Sequence, residues 1–161
     1  MFDLDRFKSA QERTSDGFAT ALGELQAGQK RSHWIWYIFP QLAGLGHSSM
    51  AVRYGIQGVP EATAYIRDRV LRERLLALTR IVVAQVRRQP APQLDELMGS
   101  AIDALKLVSS MTLFREVARR LSQAEPLPDF AELGAKADVI LRAAAEQGYP
   151  ECASTRRQLD T

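Results

Sequence analysis

Lys30-Arg31-Ser32-His33-Trp34-Ile35-Trp36-Tyr37-Ile38-Phe39-Pro40-Gln41-Leu42-Ala43-Gly44-Leu45-Gly46 holds both tryptophans and one of the two histidines of this chain. Three polar or cationic side chains stand directly against a large aromatic and aliphatic block. Such a block anchors a core and places Lys30, Arg31 and His33 at its edge. Its apolar residues fall on both parities, so periodicity does not separate a buried strand from a buried helix. Pro40 ends the element either way, because proline lacks the donor and restricts Phe39 before it. Gly44, Gly46 and His47 then make a turn.

Outward from this block the pattern reads as helix. Asp3 or Asp5 caps a short first helix carrying Leu4, Phe7 and Ala10. Ser15 or Asp16 caps a second, with Phe18, Leu22 and Leu25 on one face and Gly28 as its end. Ser48 or Ser49 caps a short helix running through Tyr54. Pro60 suits the first position of a helix expected to continue to about Arg88, with Leu71, Leu75, Leu78 and Val82 on one face. Arg67, Arg74 and Arg88 read as its solvated flanks. Gln89-Pro90-Ala91-Pro92 and Glu125-Pro126-Leu127-Pro128 are breakers. Between them lies a helix near Ile102 to Leu121, and beyond them a last helix from about Asp129 to Gln147. The expected architecture is mainly α: a single-domain orthogonal helical bundle over residues 1–150, with a polar, frayed C-terminal tail at 151–161.

Composition bounds the function classes. The chain has 161 residues, 46% of them hydrophobic and 25% charged, and a net charge of +2. That is an ordinary globular balance, and long enough for one domain with its own core. The mild basicity does not by itself argue for nucleic acid, and the arginines of residues 67–88 are interleaved with Asp68 and Glu73. The one cysteine, Cys152, has no partner for a disulfide and fits a reducing cytoplasm. The start lacks a signal-peptide core, and no apolar run approaches the roughly 20 residues that span a bilayer. No membrane role, metal site or cofactor is expected: His33 and His47 lack helical pairing, and neither a P-loop nor a GxGxxG spacing is present.

Three constellations hold groups capable of chemistry. His33 titrates near neutrality and is a candidate acid or base. Lys30 beside it can receive an anion, and Trp34 and Trp36 can stack a planar ring. The turn before Ser48 and Ser49 allows close backbone approach. On a helix, Asp103, Lys106 and Ser110 share a face, so that Asp103 orients Lys106 while Ser109 and Ser110 supply hydroxyls. Each has a plainer reading: core rings, a capped turn, and a surface ion pair worth tenths of a kcal/mol.

The chain resembles the bacterial domain-of-unknown-function 1810 family. The resemblance rests on Asp5-Arg6-Phe7 with Ala10-Gln11, the run Lys30 to Gly46, and Ser48, Ala51 and Tyr54-Gly55-Ile56. It continues through Glu61-Ala62, Ala64-Tyr65, Asp103, Lys106-Leu107 and Ser109 to Phe114. It closes with Ala137-Asp138, Gly148-Tyr149-Pro150 and Cys152-Ala153. The family commonly has His-Pro and Gly before the long helix, where this chain reads Ile66-Arg67-Asp68-Arg69-Val70. The resemblance implies a mainly α domain of the mycobacterial Rv-type fold and no established activity. The label calpastatin, sometimes attached to such chains, belongs to a long disordered inhibitor and does not suit an apolar-rich chain.

Two readings of function follow. In the first, an anionic, nucleotide-like small molecule binds between the aromatic run and the Asp103 helix. His33, Asp103 and Lys106 are the catalytic candidates. Lys30, Trp34, Trp36, Gln41, Ser48, Ser49, Tyr54, Ser109 and Ser110 are the binding candidates. Bacterial helical proteins that process NAD or ADP-ribose derivatives are a fold-level analogy only. In the second, the chain is a non-enzymatic protein-interaction module or homo-oligomeric scaffold. Convergence of Lys30, His33, Gln41, Asp103 and Lys106 on one concave surface favours the first, and scatter favours the second.

Overall fold

The computed structural model describes residues 1–161, and every regular element in it is a helix. These are α1 Asp5–Gln11, α2 Phe18–Gln26, α3 Ile35–Ile38, α4 Ser49–Tyr54, α5 Gly58–Arg67, α6 Arg69–Val86, α7 Leu94–Leu97, α8 Ala101–Ala124, α9 Pro128–Glu146 and α10 Ala153–Leu159. One contiguous cluster of 41 buried apolar residues draws on every helix, which makes this one all-α domain.

Helix α8 is its axis. Buried side chains occur all round its middle, from Leu107 through Ala118, as expected for a helix enclosed on several sides. Helices α9, α5 and α10 pack against it, and α6 packs on α9. Gly134 of α9 faces α8 so closely that an added Cβ would lie 3.3 Å from Arg119 Cγ.

The aromatic block is a single helical turn, α3, rather than a strand. Trp34, Ile35, Tyr37, Ile38 and Phe39 are all 1% exposed or less, so the run that carries the resemblance is chiefly core. Glu24 of α2 holds its entry. Its carboxylate accepts the backbone N–H groups of Arg31 and Ser32, the Ser32 hydroxyl and the Trp34 indole N–H. Burial alone would raise the Glu24 pKa, but these four donors favour the charged form and bring it down to about 2. A carboxylate depressed on folding stabilises the fold above its ordinary value, and that contribution is lost as pH falls from about 4.5 towards 2. Glu24→Gln is therefore expected to lower stability at neutral pH and to flatten the acid limb of a stability–pH curve. An acid limb unchanged from wild type would show that Glu24 is not the group responsible.

Several sequence expectations change. The long helix expected from Glu61 to Arg88 is two, because Asp68 is extended and its carboxylate accepts the Leu71 N–H as the N-cap of α6. The first two helices have no side-chain cap; Leu4 and Gly17 hold those positions. The arginines of α6 are ties between helices as well as solvated flanks. Arg72 is 8% exposed and bonds Asp129, Arg80 forks onto Glu132, and Arg74 reaches Gln11. The expected frayed tail is instead α10, docked on α8 through Thr155 and Leu159.

The loop after Pro40 is pinned by two backbone bonds to the strand-like step after α4: Ala43 N–H to Ile56 C=O and Ile56 N–H to Gln41 C=O. Gly55 makes that crossing possible, since a Cβ there would lie 2.8 Å from Ala43 Cα. Gly55→Ala should destabilise by about 1–3 kcal/mol through overpacking. Chemical denaturation measures it, and a neutral result would show that the crossing can relax.

Candidate functional site

The crossing fixes one wall of an open groove of about 680 Å³. Gln41, Leu45, Gly46, His47, Ser48 and Ala51 form this wall. The facing wall is the first half of α8, with Ile102, Leu105, Lys106, Val108 and Ser109. The α9–α10 connection closes the third side with Pro150, Glu151, Cys152 and Ala153. Beside the groove is a narrow pit of about 10 Å³, lined by Ile35, Trp36, Phe39, Tyr54 and Gly55. Gln41, Ala51 and Lys106 border both spaces.

Ser100 caps α8, its hydroxyl accepting the Asp103 N–H, and Lys106 follows Asp103 by about one turn. The Lys106 ammonium lies 5.0 Å from the centre of the Trp36 ring. Asp103 Oδ1 is 3.9 Å away, beyond hydrogen-bonding distance. The other Asp103 oxygen is taken by Lys30 at 2.8 Å. Lys30 also donates to Ser32 C=O at 2.6 Å and lies over the Trp34 ring at 4.9 Å. Two cations thus share one carboxylate, and Lys30 holds it. Lys106 is left with a cation–π contact and an open side.

The third wall is tied to the core. Arg115, 6% exposed, binds Glu151 and Asp138, and the Cys152 N–H reaches the Thr112 hydroxyl. Burial alone would raise the Cys152 thiol. The nearby Ser109 and Thr155 hydroxyls and the backbone N–H groups of Thr155 and Ser154 favour the thiolate, outweigh burial and lower the pKa.

The residues singled out in the sequence divide into three groups. Gln41, Ser48, Lys106 and Ser109 line the groove, with Trp36 and Tyr54 on the pit. Lys30 and Asp103 lie behind Lys106 as its electrostatic partners. The others stand apart. His33 is exposed and lines neither space, so no imidazole from α3's entry meets Asp103 across the groove. Trp34 is 0% exposed and gives its indole N–H to Glu24, which leaves it no face for a ligand. Ser49 is exposed on α4, and Ser110 is fully buried one residue round the helix from the groove-lining Ser109. Cys152 and its neighbours went unnoticed as site residues because the tail was expected to fray. The pair Thr155 and Leu159, four apart on one helical face, was the signal for a docked helix.

No group of three or more His, Cys, Asp or Glu side chains is placed to hold a metal ion. No helix is long and apolar enough to cross a membrane.

A family model described as a protein of unknown function (DUF1810) matches residues 1–134. The chain belongs to that family. The DUF1810 match takes in two walls of the groove and stops before the third. The whole fold is similar to the crystal structure of the conserved hypothetical protein Rv1873 from Mycobacterium tuberculosis. The similarity has a TM-score of 0.73 and 37% identity, and covers 99% of this chain and 98% of that one. The C-terminal part of this chain, α10 included, therefore falls within the compared region. No curated protein matches this chain.

Proposed function

We propose that this DUF1810 protein binds a small anionic molecule with a flat or apolar body in the groove between the Pro40–Ser48 loop, α8 and the α9–α10 connection. The observation that carries this reading is Lys106: a cation with an open side at the inner end of a largely apolar groove. The groove's volume lies within the ~300–1,000 Å³ usual for ligand sites. Of the five residues whose convergence favours a ligand site, Gln41 and Lys106 line the groove, Lys30 and Asp103 stand behind Lys106, and His33 lies apart. With His33 outside the groove, His47 exposed on its loop wall and Asp103 held by Lys30, the geometry supports binding better than acid–base catalysis. A nucleotide-like ligand belongs to the same class. Its phosphates, however, would find one lysine and no arginine among the lining residues. The single free thiol suits a reducing compartment, and the cytoplasm is where we expect the ligand to be met.

The test is a thermal-shift panel of nucleotides, NAD, ADP-ribose, sugar phosphates and apolar acids on wild type, Lys106→Met and His33→Ala. At least one anion should raise the melting temperature of wild type and His33→Ala and fail to raise that of Lys106→Met. A shift that survives Lys106→Met would place the ligand elsewhere. The second reading, a protein-interaction module or homo-oligomer, draws on one feature: Ile102 and Leu105 on the groove rim are 66% and 51% exposed. A panel without hits, together with self-association that Leu105→Glu abolishes, would favour it.

A further inference from the structure

The pit beside Lys106 narrows the ligand further. Trp36 Nε1 is buried and has no hydrogen-bond partner within the chain. An indole N–H can only donate, so it is satisfied by an acceptor and by nothing else. A donor left unpaired in a buried position costs about 1–3 kcal/mol. Trp36 lines the pit, and of the residues that border both pit and groove Gln41 and Lys106 carry donors, an amide NH2 and an ammonium. The pit has about 10 Å³ of space, about the room for one water molecule, so it admits a single oxygen-sized atom.

Charge sets the next limit. Asp103 is neutralised by Lys30, which leaves Lys106 as one uncompensated positive charge. Glu151, the only carboxylate on the groove wall, is neutralised by the buried Arg115. No arginine lines either space, and His47 is exposed on the loop wall of the groove and does not line the pit. A phosphate monoester is a dianion at neutral pH and is matched by arginine forks or several N–H donors. One lysine and one indole match a monoanion. The body that follows this anion meets Leu45, Ile102, Leu105, Val108 and Pro150, all apolar.

We infer that the groove takes a hydrophobic monocarboxylate, one carboxylate oxygen entering the pit towards Trp36 Nε1 and Lys106 while the apolar body lies along α8. This rests on the groove reading above and names its ligand class.

The experiment uses the indole N–H signals of the 15N-labelled protein, which has only Trp34 and Trp36. Sodium octanoate, octyl phosphate and 1-octanol are titrated into wild type, Trp36→Phe and Lys106→Met. Octanoate should move the indole signal that is missing from Trp36→Phe and leave that of Trp34, bonded to Glu24, in place. Lys106→Met should weaken octanoate about tenfold or more, the loss expected for a charge-assisted hydrogen bond. Octyl phosphate binding more tightly than octanoate, with the same signal moving, overturns the carboxylate and leaves an anion site in the groove. Octanol matching octanoate with neither indole moving overturns the carboxylate and the anionic groove together. A Trp36 signal that none of the three probes moves also overturns the inference: an ordered water then satisfies that donor. The thermal-shift panel decides the groove reading independently.

Discussion

Glu61→Ala should cost about 3–5 kcal/mol of folding stability, the range for removing one partner of a buried ion pair. Glu61 is 1% exposed and Arg6 forks onto both its oxygens at 2.9 and 3.0 Å. Glu61 also accepts the Gln57 N–H, and Arg6 donates to the carbonyls of Arg53 and Gly55. The pair ties α1 to the crossing that carries the groove wall. Without Glu61, the Arg6 guanidinium stays charged among backbone groups that cannot neutralise it. Urea denaturation of Glu61→Ala measures the loss, and Glu61→Gln, which keeps the volume and one acceptor, should lose less. A loss below about 1 kcal/mol in Glu61→Ala would mean that water reaches Arg6 and that the pair resembles a surface bridge.

The second large effect separates two neighbouring tryptophans. Trp34→Ala should cost about 3–5 kcal/mol, the usual price of truncating a buried ring. Trp34 is 0% exposed, packs against Phe39, and supplies one of the donors that hold Glu24 charged. Trp36 is only partly buried, faces the pit, and leaves its N–H unpaired, so Trp36→Ala should cost clearly less. The same equilibrium unfolding series on both variants checks this. Equal losses would contradict the division of the run into a core tryptophan and a site tryptophan.

That division is where the sequence stops being legible. Residue types made it plain that Trp34, Trp36 and Tyr37 belong together and that the fold is helical. They did not show which ring faces inward, because one turn of helix gives too few residues to establish a face. Ser48 announced its helix by capping chemistry; Ser100 and Asp68 cap theirs in the same way but were not read from the sequence, Asp68 because its signal lies within a continuous apolar period. The Asp103–Lys106 pair was legible from helical spacing. Lys30 as the stronger partner of Asp103 was not, since it arrives from a loop 73 positions earlier in the chain. The third wall at Pro150–Ala153 was lost for a similar reason. Its position depends on Arg115 reaching Glu151 across 36 positions of the chain, a contact that no local pattern encodes.

The junction around Lys106 is where we propose that this protein meets a ligand. Selective methyl labelling of isoleucine tests it directly, because Ile102 lies on the groove and Ile35 on the pit, whereas Ile66 and Ile140 are fully buried elsewhere in the core. The methyl spectrum would be followed while the strongest anion from the thermal-shift panel is added. Ile102 and Ile35 should move together along one saturable curve while Ile66 and Ile140 stay. Saturable shifts that leave Ile102 and Ile35 unmoved would contradict it.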